Sequence, residues 1–204
     1  MEKKNTKVIA FSGGCFSGKT TAIGYMKNYL ENHGKVVAVS EECMRPLYKE
    51  GETIDSIRAD FGRYLDFEIE MIREKIRVDL ELINSGKYDY VLIDRSLTDS
   101  LFYYTFYVDK SKFSKEQWKK YSNFFKELDL AIFRFCGLYD VMFQFEPLDY
   151  SKCDDKKFRP EHLVEIGNCE SRLINTLNKG YPFKCNTVYI NFNYMALDKL
   201  INYI

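Results

Sequence analysis

Only two histidines, His33 and His162, occur in the 204 residues, and they stand far apart. None of the six cysteines (Cys15, Cys43, Cys136, Cys153, Cys169 and Cys185) belongs to a CxxC pair. No zinc-ligand spacing can be written from such a set, so reduced thiols are the expectation. An excess of one charge is missing too. Thirty basic residues balance 30 acidic ones, so no global field draws the chain to nucleic acid or membrane. Any phosphate recognition has to come from local clusters, which argues against a nucleic-acid partner. Long apolar runs are also lacking. The four apolar residues after Lys7 are too few for a signal-peptide core. The aromatic run from Leu101 to Val108 is broken by Thr105 and falls short of a membrane span. A cytoplasmic location is therefore expected. Repeats, low-complexity tracts and linkers are absent as well, so residues 1–204 are expected to fold as a single domain.

What the chain does contain is an alternation of short apolar runs with longer helical patterns, the signature of an α/β fold with a parallel sheet. Five strands can be read: Val8 to Phe11, Val36 to Val39, Tyr90 to Ile93, Tyr139 to Phe145 and Thr187 to Ile190. The first three are almost wholly apolar, as strands covered on both faces should be. From Phe61, the residues Leu65, Ile69, Ile72, Ile76, Leu80 and Ile83 recur at steps of three or four. They give one apolar stripe on a helix about 36 Å long if it runs unbroken to Asn84. Ser114 and Gln117 have capping-box spacing and predict a second helix through Trp118, Tyr121, Phe125, Leu128 and Ile132. A third is predicted from Pro160 to just before Gly180.

Gly13-Gly14-Cys15-Phe16-Ser17-Gly18-Lys19-Thr20 satisfies GxxxxGK[ST], between the first strand and a predicted helix from Thr20 to Leu30. From average composition, a chance match in a chain of this length is expected roughly once in a hundred. Glycines let successive N–H groups turn inward to form an anion nest, and the helix N-terminus adds its positive end. Lys19 would reach the β- and γ-phosphates of ATP or GTP, and the Thr20 hydroxyl would ligate Mg²⁺.

A phosphate loop is shared by switches, motors and kinases, so the remaining residues must discriminate. A GTPase DxxG is not present, because Asp94 is followed by Arg95, Ser96 and Leu97; nor is NKxD, because Asn178-Lys179-Gly180 is followed by Tyr181. A small-molecule kinase fits better. Asp94 ends a strand and would hold Mg²⁺ through water, while Arg95 would face the phosphates or the acceptor. Glu41 and Glu42 follow the second strand, where a carboxylate can take a proton from a substrate hydroxyl; Arg45 nearby could grip an anionic substrate group. The polar stretch of residues 148–160 reads either as a solvated connection or as a basic lid carrying Lys152, Lys156, Lys157 and Arg159. Asp99 could bond a sugar hydroxyl or serve simply as a first-turn helix acid. Phe102, Tyr103, Tyr104, Phe106 and Tyr107 could stack on a base or fill the core.

The set formed by Gly13 to Thr20, Glu42-Cys-Met-Arg45, Asp94-Arg-Ser-Leu-Thr-Asp99 and Asp154-Asp-Lys-Lys-Phe-Arg159 resembles the AAA-type P-loop ATPase/kinase family that includes ribosylnicotinamide kinase domains. More distantly it resembles deoxynucleoside and thymidylate kinases. The resemblance implies a P-loop NTPase three-layer sandwich with a five-stranded parallel sheet of nucleotide-kinase type. It further implies ATP-dependent phosphoryl transfer to a small acceptor such as a nucleoside or nucleotide. Glu42 would then be the general base, though adjacent Glu41 could take that place; Arg95 would lie near the reacting hydroxyl and Arg159 would be the lid arginine. Residues 109–135 have no match in those kinases. The family also holds nucleotide-binding regulators, so a non-catalytic or slowly hydrolysing switch is the alternative, with residues 109–135 as its docking surface. A homodimer is compatible with either reading.

Overall fold

The computed structural model describes residues 6–41, 53–147, 161–191 and 197–204. Among these, five parallel strands make one sheet: β1 (Lys7–Ser12), β2 (Val37–Ser40), β3 (Tyr90–Asp94), β4 (Val141–Phe145) and β5 (Asn186–Ile190). Their order across the sheet is β2-β3-β1-β4-β5, which puts β1 at the centre. The strand positions read from the sequence hold to within two residues. The fourth strand was expected from Tyr139 but starts at Val141. Tyr139 instead buries its ring against Phe135 and Phe183, and the Asp140 carboxylate accepts the Val8 N–H at 2.7 Å.

The apolar strands are explained by side-chain alternation. Val8 and Ala10 of β1 point into one core, and Ile9 and Phe11 point into another on the opposite face of the sheet. The second core is closed by Ala22, Ile23, Met26 and Leu30 of α1 (Lys19–Asn32). The first is closed by α3 (Phe61–Asn84), α4 (Leu97–Phe106) and α5 (Lys115–Phe135). A short α2 (Ile54–Ala59) precedes α3, and α6 (Glu161–Lys179) precedes β5.

Helix α3 has the extent its stripe predicts. Leu65, Ile69 and Ile72 are buried, each worth about 1.5–3 kcal/mol by transfer from water. The Asp60 carboxylate caps its start by accepting the Gly62 and Arg63 N–H groups, both at 3.0 Å. The same helix also buries Lys75 and Asp79, which pair at 3.2 Å, and Asp79 accepts the hydroxyl of Ser40 at the end of β2. This buried pair lies within α3, and the Ser40 hydrogen bond to Asp79 ties it to the end of β2, just before Glu41.

Residues 109–135 hold a short 3₁₀ turn, Lys110–Lys112, and α5. Tyr121, Phe124, Leu128, Ile132 and Phe135 of α5 are buried, so the helix is part of the main core. Its outer side still exposes Trp118, Phe125, Leu130 and Phe133. The capping box forms as expected: the Ser114 hydroxyl accepts the Gln117 N–H at 3.2 Å, and Gln117 Oε1 accepts the Ser114 N–H at 2.8 Å. Ser114→Ala is expected to cost about 1 kcal/mol. In a chain of this size that lowers Tm by about 2–4 °C, read by calorimetry. An unchanged Tm would mean the cap is not formed in solution.

Candidate active site

The loop of residues 13–18 between β1 and α1 lies at the carboxyl end of the central strand, and Phe11 of β1 is paired with Asp94 of β3. This neighbour relation brings Asp94 and Arg95 to the loop. A cavity of about 350 Å³ is lined by Cys15, Phe16, Ser17, Gly18, Lys19, Thr20 and Thr21 together with Asp94 and Arg95. Helix α1 starts at this cavity with no side-chain cap on its N–H groups and no acid in its first turn. Its positive end is thus left open to an anion. Thr20 and Asp94 both line the cavity, and a hydroxyl and a carboxylate are hard donors of the kind that suits Mg²⁺.

Two of the loop's glycines have positive φ. Gly18 has φ +92°, in the left-handed region. At Gly13, φ is +147° and an added Cβ would meet the Phe145 side chain at 3.0 Å and its carbonyl at 3.2 Å. Phe16 (φ +57°) and Arg95 (φ +70°) take left-handed conformations without being glycine, which costs roughly 1–2 kcal/mol each. Strain at two residues lining one cavity marks it as a candidate functional centre.

Lys19 is nearly buried. Its ammonium donates to the carbonyls of Gly13 (2.8 Å) and Gly14 (2.6 Å) and to the Ser17 hydroxyl (3.2 Å). Burial and then the Arg95 charge hold its pKa below the ordinary lysine value, against the pull of Asp99 and Asp94. The cation is therefore costly to keep there without an anion, which favours exchange of the carbonyls for phosphate oxygens.

Asp99 is fully buried. One oxygen accepts the Gly13 N–H at 2.8 Å; the other accepts the Ser96 N–H at 2.9 Å and the Ser96 hydroxyl. Of the two expectations for Asp99, the helix-acid one describes this geometry: it completes the capping box of α4 and ties that helix to the phosphate loop. Both carboxylate oxygens thus accept hydrogen bonds within the protein. Glu42, Arg45 and Arg159 lie outside the described residues. Glu41 is described, just past β2, and is exposed.

The sequence reading missed the residues that cover the loop. The Gly14 N–H donates to the Ser171 hydroxyl (2.9 Å), and the Cys15 N–H donates to Glu170 Oε2 (2.7 Å). Tyr103 and Tyr107 of the aromatic cluster also donate to Glu170, at 3.0 and 2.6 Å. Their rings stack on each other at 5.7 Å; Phe102 and Tyr104 are buried and Phe106 is exposed. Asn178, which the GTPase motif would have placed at a nucleotide base, is buried in α6 between Ser12 (3.0 Å) and Thr98. A signal was present: on the buried face of α6, Val164 and Ile174 alternate with Gly167, Ser171 and Asn178, which are too small or polar for a plain core stripe.

Burial pushes the Glu170 carboxyl up. The hydrogen bonds from the Cys15 N–H, Tyr107, Tyr103 and the Cys15 thiol outweigh it, so the pKa ends below its ordinary 4.5. A carboxyl depressed by folding adds stability above its unfolded pKa and loses it as pH falls through the folded one. Wild-type Tm is therefore expected to fall more steeply below pH 4.5 than that of Glu170→Gln. Parallel curves would show that the carboxyl is not clamped.

A family model described as an AAA domain matches residues 8–191. No curated protein matches the sequence. Among solved structures, NadR in complex with NR aligns with a TM-score of 0.56 at 16% identity, over 98% of this chain and 52% of that one. NadR in complex with NAD and AMP-PNP gives 0.51 at 15%, over 98% and 49%. Thymidylate kinase from Ehrlichia chaffeensis gives 0.50 at 20%, over 97% and 99%. The chain thus spans about half the length of NadR and nearly all of the thymidylate kinase, and at these identities the likeness is one of fold. Among the described residues, no helix is long and apolar enough to cross a membrane.

Proposed function

Because the chain belongs to the AAA-domain family matched over residues 8–191, with the fold of P-loop kinases, we propose that it is an ATP-dependent phosphotransferase acting on a small acceptor, a nucleoside or nucleotide, in the cytoplasm. The observation that carries this is the cavity where the loop, the uncapped start of α1, Asp94 and Arg95 converge. NR in one NadR structure and AMP-PNP in another are the acceptor-like and donor-like ligands that motivate the substrate class.

In this reading the loop N–H groups and Lys19 take the donor phosphates, and Lys19 gives up its carbonyl contacts to do so. Thr20 and Asp94 hold Mg²⁺, which when bound neutralises charge on the phosphates. Arg95 stabilises the transferring group from the other wall. Glu42, or Glu41 beside it, takes the acceptor's hydroxyl proton. Arg45 binds the acceptor, and Arg159 closes over the phosphates and excludes water. GTP is the other donor to be tried.

The test is incubation with Mg²⁺ and ATP or GTP against nucleosides, nucleoside monophosphates, NR and a 5′-hydroxyl oligonucleotide, with products read by mass. Phosphorylated product that is lost in Lys19→Ala supports the proposal and names the acceptor. Tight nucleotide binding with no product across the panel would sink it. It would favour a second reading, a nucleotide-binding regulator, for which one observation speaks. Exposed Lys115, Lys119 and Lys126 accompany Trp118 and Phe125 on the outer side of α5, a surface suited to an acidic partner. Trp118 is the single tryptophan, so its emission would report such docking.

A further inference from the structure

Arg95 does not reach the phosphate cavity as an isolated side chain. Its guanidinium lies over the Tyr103 ring, 4.7 Å from the centroid, and donates to the Tyr103 hydroxyl at 2.8 Å. A second guanidinium nitrogen lies 3.6 Å from the Cys15 thiol. Arginine can only donate and a carboxylate can only accept, so the direction of the tyrosine proton follows. The hydroxyl accepts from Arg95 and donates to Glu170 Oε2 at 3.0 Å. That same oxygen accepts the Cys15 N–H at 2.7 Å, while Tyr107 occupies Oε1 at 2.6 Å. Glu170 is 4% exposed, so these bonds form with little competition from water.

Two separate walls of the cavity are thereby tied to one buried carboxylate. One wall is the Cys15 end of the phosphate loop, and the other is Arg95 at the end of β3. Resting on the kinase reading above, we propose that Tyr103 and Glu170 are positioning residues that set Arg95 and the phosphate loop as one unit, aiming the guanidinium at the terminal phosphate of the donor. Neither touches the donor. Tyr103 acts through Arg95, and Glu170 acts through Tyr103 and the Cys15 amide. The left-handed backbone of Arg95 is pinned by its N–H to the Phe11 carbonyl at 3.0 Å, and the Tyr103 hydroxyl and ring hold the guanidinium at the other end of the side chain. An arginine free to sample several rotamers would lose part of its contact with the phosphate to conformational entropy.

The test uses the whole chain with Mg²⁺ and compares AMP-PNP with ADP by titration calorimetry, so that it needs no acceptor. Wild type is expected to bind AMP-PNP more tightly than ADP, because only the former offers Arg95 a terminal phosphate. Tyr103→Phe keeps the ring and removes the hydroxyl. It is expected to lower the AMP-PNP to ADP affinity ratio by about tenfold, mainly through AMP-PNP, the size of a lost charge-assisted contact. Glu170→Gln is the second variant and should move the ratio the same way. In an Arg95→Ala background, Tyr103→Phe should change nothing further, an outcome that a merely structural tyrosine would not give. An unchanged ratio in Tyr103→Phe, or an equal effect with and without Arg95, overturns the proposal while the kinase reading stands. Failure of wild type to bind either nucleotide overturns both.

Discussion

Lys19→Ala is expected to lower phosphoryl transfer by at least 10²–10³-fold, on the scale of removing one preorganised donor from a transition state, while Tm moves by only a few degrees. The asymmetry comes from the position of the ammonium. It is buried against two loop carbonyls and a hydroxyl. Those bonds stabilise the empty loop, and the desolvation that depresses the lysine's pKa works against them. The two contributions oppose each other in the free protein, so truncation leaves stability nearly level. With a phosphate present they no longer oppose, because the charge has gained an anion, and the whole interaction is lost on truncation. Linkage supplies a further check. The folded lysine holds its proton less tightly than the unfolded one, so wild type should gain stability over the variant as pH rises toward 10.5. The measurement is initial rate and thermal unfolding on the same preparations. A collapse of Tm by 10 °C or so would make Lys19 a structural residue on the scale expected for a domain of this size.

Gly167→Ala is expected to destabilise the protein by about 2 kcal/mol or more, and the identical change at Gly24 is expected to stabilise it by about 1 kcal/mol. Both glycines lie inside helices, where alanine is intrinsically the better residue. At Gly24, in α1, an added Cβ meets nothing within 4 Å, so propensity decides. At Gly167, in α6, it would fall 2.0 Å from the Cys15 carbonyl oxygen. The reciprocal contact is as close: a Cβ at Gly14 would stand 2.1 Å from the Gly167 carbonyl. Backbone meets backbone here, so no side chain can swing away. Either the phosphate loop or α6 must move, and the Ser171 and Glu170 bonds to the loop stretch with it. The expected readings are a Tm about 4–8 °C lower for Gly167→Ala, with weakened ADP binding, and a higher Tm for Gly24→Ala. A Gly167→Ala protein that melts above wild type would show that α6 does not seat on the loop.

Opposite signs for one substitution illustrate what could be read from the chain and what could not. Helix α3 was legible to its ends because its stripe from Leu65 to Ile83 repeats every three or four residues. The start of α5 was legible because Ser114 and Gln117 satisfy each other's backbone groups within one turn. Asp99 was ambiguous, since a first-turn acid can cap its own helix or reach a sugar hydroxyl, and its bond to the Gly13 N–H at 2.8 Å joins residues 86 apart in the chain. The aromatic cluster was ambiguous for the same reason. Its members divide among the core, the surface and Glu170 according to which neighbour each turn of α4 faces.

By itself the sequence determined the glycine-rich loop, the strand that leads into it and the faces its helices bury. These depend on hydrogen bonds and side-chain periodicity that act within about four residues. Only the tertiary structure decided what holds that loop in shape: Asp99, Glu170 and Ser171 reach its first three amides from 86, 155 and 157 residues away. No local rule links positions so distant. The link arises when α4 and α6 pack over the end of β1, and the fit of a glycine against a carbonyl selects which side chains arrive.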